Sequence, residues 1–402
     1  MQPPLHRTVG GLGLATIVAY GGWFYGFGVL VQPISDDTGW SVGTLGASYA
    51  VAQLLTGGAA AFGGRLLDEH GGAQTFALGG LLGGGLLALA AAAPTAPLFA
   101  VAFALGGAVV GATAFYHVTM AAARRLRPDA PARAIGPLTI WGAFASPIFL
   151  PITAWLVEAN GWRPTLGVLA ATTAGGLLVA AAIAPGGRAA APADTDTDDV
   201  PLRVAVAEAW QDPAARRLLV FLAGNGLGTG ILLTYQVPIM VAFGLPLATA
   251  ATVAGARGFL QLTGRLGLSW IVERFGSSGP LAVAMLLAVV ACFLLVGSGA
   301  LPIAIAFAVV AGASMGATSP LSGIHASAIL PERHLGALLG AVQVVFGVAT
   351  ATGPLLGGVA RDLSGSYGPA LGLAVAGFSM AGLAMARART RDRVSGESVT
   401  AV

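Results

Sequence analysis

Long apolar runs separated by short polar segments dominate this chain. Twelve runs reach about 20 residues, the length that an α-helix needs to cross a bilayer. Each is predicted to be a membrane-spanning helix, and they are numbered here as spans 1 to 12. The first six lie at about 10–34, 42–63, 73–93, 98–122, 135–157 and 164–185, and the last six at about 216–242, 247–271, 278–298, 302–326, 335–359 and 367–387.

A charged segment follows span 2 at 64–71, and a similar one follows span 8 at 269–276. Both segments have a small residue first, a branched apolar residue third, an acid fifth and glycine eighth. Their matching positions in two hydrophobic halves predict a duplicated bundle. We therefore expect an all-α membrane protein with twelve transmembrane helices in two pseudo-symmetric six-helix bundles. The predicted domains are an amino-terminal bundle, a linker, a carboxy-terminal bundle and a tail, at 1–185, 186–212, 213–390 and 391–402.

The composition supports a multi-pass membrane protein and argues against a soluble one. The chain is 56% hydrophobic and 9% charged, whereas a soluble domain has about a quarter of its residues charged. Its 60 glycines suit membrane helices, which approach closely where side chains are small. The first apolar run is too long for a cleavable signal peptide. The single cysteine, Cys292, excludes an intramolecular disulfide or a cysteine metal cluster, and we expect no metal and no cofactor.

The distribution of arginine predicts the orientation in the membrane. If the amino terminus is inside, 16 of the 20 arginines fall at or beside cytoplasmic segments, and the chain has no lysine. Only Arg163 and Arg361 fall outside, while Arg257 and Arg265 lie within span 8. This asymmetry satisfies the positive-inside rule and predicts an inner-membrane protein with both termini in the cytoplasm. The basic charge therefore reports topology, and we expect no nucleic-acid partner.

The segment at 64–71 also carries a family signature. Gly64, Leu66, Asp68 and Gly71 form a G-x-L-x-D-x-x-G pattern, which together with twelve spans in two halves resembles the major facilitator superfamily. The resemblance implies a secondary transporter whose central cavity is lined by spans 1, 4, 7 and 10. It also implies that this segment latches the cytoplasmic side closed. The gating residues expected on that basis are Asp68, Gly64, Gly71, Glu273 and Arg274.

Three further motifs resemble the monocarboxylate transporter branch and its oxalate/formate antiporter relatives. They are Tyr25-Gly26-Phe27-Gly28-Val29 in span 1, Gly39-Trp40-Ser41 before span 2, and the segment 362–367 after span 11. The branch typically has an acid in span 8 four residues before an arginine, where this chain has Gln261 before Arg265. The lysine that the branch carries in span 1 is also absent.

The two arginines of span 8 point to an anionic substrate. A charged side chain near the bilayer centre is costly, so it normally faces a cavity or a partner. On a continuous helix, Arg257 and Arg265 would lie about 80° apart and could face one cavity, with Gln261 between them. No acid lies in the central part of any predicted span. A bound carboxylate would therefore neutralise the guanidinium groups, with Arg265 as its main ligand and Arg257 contributing. Snorkelling or pairing with a carbonyl is the alternative for each arginine.

Other polar residues could complete the site. The predicted substrate-binding set is Arg265, Arg257, Tyr20, Tyr25, His117, Gln261 and Tyr235. His117 in span 4 and His325 in span 10 can change charge near neutral pH, so both are candidates for carrying a coupling proton. An interfacial or hydrogen-bonded histidine without a coupling role is the alternative for each.

These observations predict a secondary transporter of a small organic anion, with a mono- or dicarboxylate favoured. Coupling could be proton symport or anion exchange, and we expect a monomer in the lipid bilayer. The G-P-x-x-G-G pattern at 353–358 instead favours a proton-linked exporter of drugs or hydrophobic compounds. A non-transporting membrane sensor or scaffold is the alternative from another class. The chain has no H-E-x-x-H or G-x-S-x-G motif, so we expect no catalytic residues and no enzymatic activity.

Overall fold

The computed structural model describes residues 5–126, 132–184, 204, 207, 210–330 and 335–397. Every regular element in these residues is helical. Ten of the helices are long and apolar enough to cross a membrane, and they contain spans 1, 3 to 7 and 9 to 12. Of the other two predicted spans, span 2 is helical and span 8 is helical with an interruption. The all-α membrane architecture is therefore confirmed, and twelve spans are consistent with the structure.

The first half contains spans 1 to 6. Their helices run Leu5–Ala19, Gly26–Thr38, Val42–Leu78, Gly84–Ala92, Ala96–Ala114, Tyr116–Leu126, Ala132–Ala143, Ala145–Asn160 and Trp162–Ile183. Single π-helical turns at Tyr20–Tyr25 and Gly79–Gly83 interrupt spans 1 and 3. Val42–Leu78 holds span 2 and the start of span 3, with a break at Gly71.

The second half contains spans 7 to 12. Their helices run Pro213–Ala242, Leu247–Leu260, Leu268–Phe275, Ser278–Val296, Leu301–Ile329, Leu335–Ser364 and Gly368–Glu397, with a 3-10 turn at Thr263–Arg265. Span 7 begins where Asp212 accepts a hydrogen bond from the Ala214 amide at 2.8 Å and Pro213 occupies the first turn. Both features are typical of helix starts, because the first amides have no partner inside the helix.

The helices form two compact units. The first comprises Met1–Thr195 with Pro246–Phe259 and Arg361–Leu363, and the second comprises Asp196–Leu245, Leu260–Ala360 and Ser364–Val402. In the first, span 4 packs on the helix of spans 2 and 3, and span 6 packs on spans 1 and 3. In the second, span 12 packs on spans 7 and 9. The predicted linker at 186–212 lies mostly outside the described residues, so the domain boundaries stay a prediction.

Glycines with positive φ recur at the same places in both halves. They pair at a spacing of 204 or 205 positions as Gly39 with Gly244, Gly71 with Gly276, and Gly161 with Gly365. The two signature glycines even share one conformation, with φ 80° and ψ 175° at Gly71 and φ 68° and ψ −170° at Gly276. Residues with a side chain rarely adopt this backbone. The repeat found in the sequence is therefore also a repeat of backbone geometry.

Two motifs that carry the branch resemblance meet in the first unit. Gly39 ends one helix with φ 70°, and Ser41 begins the next by accepting a hydrogen bond from the Thr44 amide. The Asp362 carboxylate then accepts from the Val42 and Gly43 amides at 3.0 and 2.7 Å. A carboxylate is favourable at a helix start, because the unpaired amides and the helix dipole are positive there. The motif residues thus hold the first turn of span 2 in place.

Candidate functional site

Some residues of the π-helical turn in span 1 pack against other helices, and others belong to the candidate site. Gly21 and Gly22 lie against spans 5 and 6. A Cβ atom at Gly21 would come within 2.1 Å of the Phe149 ring, and one at Gly22 within 2.0 Å of Thr173 Oγ1. Tyr20, by contrast, is only half-buried. A π-turn inserts one extra residue into a helix and often marks a functional site.

Span 4 is broken at the same level of the first unit. Phe115 is extended, with ψ 171°, and separates the helices Ala96–Ala114 and Tyr116–Leu126. Its ring stacks on Tyr20, with 4.0 Å between ring centroids and 8° between planes. The Phe115 ring also stacks on Trp23, with 5.6 Å between ring centroids and nearly parallel planes. The two backbone irregularities are therefore joined by stacked aromatic rings.

Further aromatic side chains surround this stack. The ring of Tyr20 lies 6.3 Å from that of Tyr25 and 5.3 Å from that of Tyr116. Phe24 makes an edge contact with Tyr25 at 5.2 Å. We call Tyr20, Phe24, Tyr25, Phe115 and Tyr116 the aromatic cluster. Such pairs contribute about 0.5–1.5 kcal/mol each beyond the area they bury, so the cluster fixes the orientation of its hydroxyl groups.

Arg257 lies beside this cluster in the first unit. Its side chain is fully buried, at 0% exposure, in the helix Leu247–Leu260. Its guanidinium lies close to the side chain of Tyr25. The structure therefore combines a buried guanidinium with an aromatic cluster, and it brings together three residues of the predicted site, namely Arg257, Tyr25 and Tyr20.

Glycines allow the helix of Arg257 to approach span 5 closely. A Cβ atom at Gly258 would overlap Ser146 Oγ at 1.7 Å, and one at Gly255 would lie 3.0 Å from the backbone of Pro147. At the start of this helix, Glu158 accepts a hydrogen bond from the Ala248 amide at 3.2 Å. The backbone around Arg257 is thus held against span 5 along its length.

The acids described in the first unit lie at helix ends, as the sequence predicts. Asp36 accepts a hydrogen bond from Gln32 at 2.7 Å, and Asp37 accepts from the Trp162 indole at 2.8 Å. Glu158 and Asp362 accept from helix-start amides, as described above. These carboxylates are engaged in local structure at the ends of spans.

Span 8 differs from its prediction as one continuous helix over 247–271. The helix ends at Leu260, a 3-10 turn follows, and Gly267 takes a left-handed conformation with φ 69° before the next helix. The expected separation of about 80° between Arg257 and Arg265 on one helix is therefore wrong. Arg265 is exposed and belongs to the second unit, and Gln261 lies in the interruption.

Close packing accompanies this interruption in the second unit. A Cβ atom at Gly264 would lie 2.1 Å from the Ala313 carbonyl oxygen, and one at Gly316 would lie 1.9 Å from that of Gln261. Span 10 therefore contacts the backbone of the interrupted segment directly. In a regular helix with larger residues, side chains would occupy the space through which span 10 reaches this backbone.

The two histidines predicted for coupling lie in different surroundings. His117 is exposed and follows the break at Phe115. His325 is buried, at 5% exposure, and its Nδ1 lies 2.9 Å from the Ser277 hydroxyl group. Ser277 comes directly after the second signature segment. His325 therefore anchors that segment, while the corresponding residue after the first segment is Gly72.

The remaining predicted residues have structural surroundings of their own. Tyr235 is fully buried, and its hydroxyl group donates a hydrogen bond to the carbonyl of Pro354 in the G-P-x-x-G-G motif. Asp68 and Gly64 are half-buried at the end of span 2. Glu273 and Arg274 are exposed, and the Arg274 guanidinium lies 6.0 Å from the Trp270 ring. The structure thus places Tyr235 in the packing between spans 7 and 11.

The family follows from comparison with known proteins. The family model described as Major Facilitator Superfamily matches residues 12–306 and 218–400. The chain belongs to the major facilitator superfamily. It is therefore a multi-pass membrane transporter and not an enzyme. No curated protein matches the sequence.

Solved structures of transporters share the fold. The nucleoside transporter NupG has a TM-score of 0.77 at 15% identity, over 96% of this chain and 99% of that one. An inward-facing bacterial homologue of the human lysosomal transporter Spinster has a TM-score of 0.71 at 14% identity, covering 97% and 95%. A D-xylose-proton symporter reaches 0.64 at 16% identity, covering 94% and 95%. At these identities the likeness concerns the fold alone.

Part of the cluster was not predicted from the sequence. Phe115, Tyr116 and Phe24 contact Tyr20 or Tyr25, yet aromatic residues in an apolar span look like ordinary packing. The signal that could have singled them out is the adjacent pair Phe115-Tyr116 in a run otherwise rich in alanine and glycine. The contact of Ser146 with Gly255 and Gly258 likewise depends on tertiary structure.

Proposed function

We propose that this transporter moves a small organic anion, with a mono- or dicarboxylate as the favoured class, and that Arg257 is its principal ligand. The observation that carries the proposal is the complete burial of Arg257 beside Tyr25 in a membrane helix. Placing a guanidinium there costs about 2.5–3.5 kcal/mol on insertion scales. Binding an anion offsets that cost, and the planar guanidinium can donate two parallel hydrogen bonds to a carboxylate.

The aromatic cluster supplies the rest of the proposed site. Tyr20 and Tyr25 are half-buried, so part of each side chain remains available to a ligand. Their hydroxyl groups could hydrogen-bond the second carboxylate oxygen or a substrate hydroxyl. The resemblance of 25–29, 39–41 and 362–367 to the monocarboxylate branch supports the same substrate class.

The remaining predicted residues enter the proposal in secondary roles. Arg265 and Gln261 lie in the interruption of span 8 and would meet the substrate during entry or release. Tyr235 would act by fixing spans 7 and 11. His117 or His325 would carry a proton if coupling is symport, whereas anion exchange would need neither. Transport would proceed by alternating access, with Asp68, Gly64, Gly71, Glu273 and Arg274 in gating. We place the transporter, as a monomer, in the inner membrane with both termini in the cytoplasm.

Uptake by proteoliposomes tests the proposal. Purified protein would be given a panel of labelled mono- and dicarboxylates, with and without a pH gradient. We expect uptake of at least one carboxylate and a fall of about 10- to 150-fold in Arg257→Gln, the range that one hydrogen bond to a charged group represents. Arg257→Lys keeps the charge and should retain part of the activity. Arg265→Gln is the matched control and should lose less.

Two results would overturn the proposal. One is the absence of uptake for every carboxylate by folded protein, and the other is full activity in Arg257→Gln. A pH gradient that drives uptake would identify symport, whereas acceleration by internal anion alone would identify exchange.

A proton-linked exporter of hydrophobic compounds is the second candidate. The pattern at 353–358 favours it, although Gly353 and Gly357 also pack tightly on span 7. A Cβ atom at Gly353 would lie 2.7 Å from the Ile231 amide, and one at Gly357 would lie 2.6 Å from the Tyr235 ring. An exporter would move dyes outward along a pH gradient and would tolerate Arg257→Gln.

A further inference from the structure

Three arginines line one groove at the ends of spans 7 and 12 in the second unit. Arg216 and Arg217 lie in the first turns of span 7, and Arg387 lies at the end of the apolar part of span 12. The groove has a volume of about 620 Å³. That volume is within the range of about 300–1,000 Å³ that is typical of small-ligand sites.

The described lining of this groove is basic. Its lining contains no acid, and the nearest acid in sequence, Asp212, is engaged with the Ala214 amide. The Nε atom of Arg217 is buried and has no hydrogen-bond partner among the described residues. A buried polar group without a partner is unfavourable, so this atom indicates that a ligand with acceptor oxygens completes the site.

The groove becomes apolar away from the arginines. Below them it is lined by Val220, Met380 and Leu383, which are 39%, 42% and 58% exposed. In a membrane helix such exposure means contact with lipid. One end of the groove is therefore suited to a charged headgroup and the other to a hydrocarbon chain.

A second groove begins on the other side of Val220. It has a volume of about 440 Å³ and is lined almost entirely by apolar side chains of spans 7 and 11, including Leu219, Ala223 and Val344. Trp210 also lines it and is 57% exposed. Tryptophan is enriched where membrane helices reach the headgroup layer. The two grooves therefore meet at Val220, one turn from Arg216 and Arg217 in the helix of span 7.

We propose that this surface binds an anionic phospholipid, with its phosphate on Arg216, Arg217 and Arg387 and one acyl chain in each groove. Basic pockets between membrane helices are suited to anionic headgroups, since guanidinium groups match the phosphate oxygens. The start of span 7 adds the positive end of a 30-residue helix. This lipid site lies in the second unit and is independent of the anion proposed at Arg257.

Native mass spectrometry of the delipidated full chain tests the proposal. The protein would be titrated with phosphatidylglycerol or with phosphatidylcholine of the same acyl chains. We expect selective retention of phosphatidylglycerol. Arg217→Gln should weaken it about fivefold and the double variant Arg216→Gln/Arg217→Gln about 25-fold, since each interfacial arginine contributes about that factor. Arg124→Gln is the matched control, because Arg124 is an exposed arginine in the first unit, and should leave binding unchanged.

A competition experiment distinguishes the phosphate of a lipid from free inorganic phosphate as the ligand. Excess inorganic phosphate should not displace the lipid, because it has no chains to occupy the grooves. Displacement by phosphate, equal retention of both lipids, or equal effects of Arg217→Gln and Arg124→Gln would each overturn the proposal. If the double variant does not fold, Arg387→Gln serves instead, with an expected fivefold loss and the same contrary outcomes.

Discussion

Spans 2 and 8 occupy equivalent positions in the two halves, yet they fold differently. Span 2 is one helix from Val42 to the break at Gly71, and its residues at the matching positions are Ala52 and Ala60. Span 8 carries Arg257 and Arg265 there, and its helix stops at Leu260. The residue that matches Gly267 in the first half is Phe62, which is helical. The two halves therefore share the geometry of their turns but differ within the membrane.

This difference distinguishes the features that both halves need in order to fold from those that we assign to the candidate site. The paired glycines show that loop geometry is common to both halves, which suits a fold that each half must form. Of these two spans, span 8 has the buried charge and the interrupted helix, where an ordinary apolar helix would be more stable. A feature that lowers stability in one copy is the kind that function maintains.

Exchanging the buried residues of the two spans should give the largest effect. Ala52→Arg introduces a guanidinium at a site that is 0% exposed and packed for alanine. We expect a loss of at least about 3 kcal/mol, from burial of charge and overpacking, and little folded protein. Arg257→Ala should remain folded. The measurement is the recovery of monodisperse protein and its thermal midpoint in detergent, and equal stability of the two variants would contradict the comparison.

The shared turns should respond alike to substitution. Gly71→Ala and Gly276→Ala each force a side chain into a backbone region that is nearly exclusive to glycine, at a cost of about 1–3 kcal/mol. We expect both thermal midpoints to fall by similar amounts. Gly85→Ala is the control, because Gly85 is helical and has open space around its Cβ position. A large effect in one half alone would show that the two turns are not equivalent.

The glycine that only span 8 carries should show a residue-specific effect. Gly267→Ala should cost about 1–2 kcal/mol, since the left-handed conformation places Cβ too close to a carbonyl oxygen. Gly267→Asn should cost less, because asparagine tolerates that conformation. Thermal unfolding of the two variants provides the measurement. If alanine and asparagine behave identically, backbone conformation is not what glycine supplies at this position.

The smallest effect concerns the histidines. His325→Ala and Ser277→Ala should each lower stability, and the double variant should lose no more than about 1 kcal/mol beyond either single variant, because both remove one hydrogen bond. His117→Ala should have little effect on stability, since its side chain is exposed. Thermal midpoints of the four variants give the cycle. Strict additivity of His325→Ala and Ser277→Ala would show that the contact contributes nothing.

Several predictions from the sequence assumed that each span is one regular helix. They were wrong where a helix is interrupted. The apolar runs predicted ten spans that the structure describes as long apolar helices, because twenty apolar residues leave few other solutions in lipid. The same reasoning assumed that span 8 was continuous. Hydrophobicity does not report where a helix is interrupted. The interruption at 261–267 includes Gly264, on which span 10 packs, and Gly267, which takes a left-handed conformation.

The candidate site likewise contains residues that the sequence could identify and others that it could not. Arg257, Tyr20 and Tyr25 could be identified because charged and polar side chains are conspicuous in an apolar span. The adjacent aromatic pair makes Phe115 noticeable, but its role depends on a break in span 4 that the pair does not predict. The sequence also favoured Arg265 over Arg257 as the main ligand, whereas the structure buries Arg257 and leaves Arg265 exposed.

By itself the sequence determined the class of the protein, its duplicated halves and the family signature, because membrane solvation constrains long apolar segments strongly and the signature segment is local. Only the tertiary structure decided that the π-turn of span 1 meets the break of span 4 at Tyr20 and Phe115, and that Arg257 is buried beside Tyr25. These contacts join residues far apart in the chain. They are set by the close approach of helices at glycine and serine, which is a property of packed surfaces and not of any one segment.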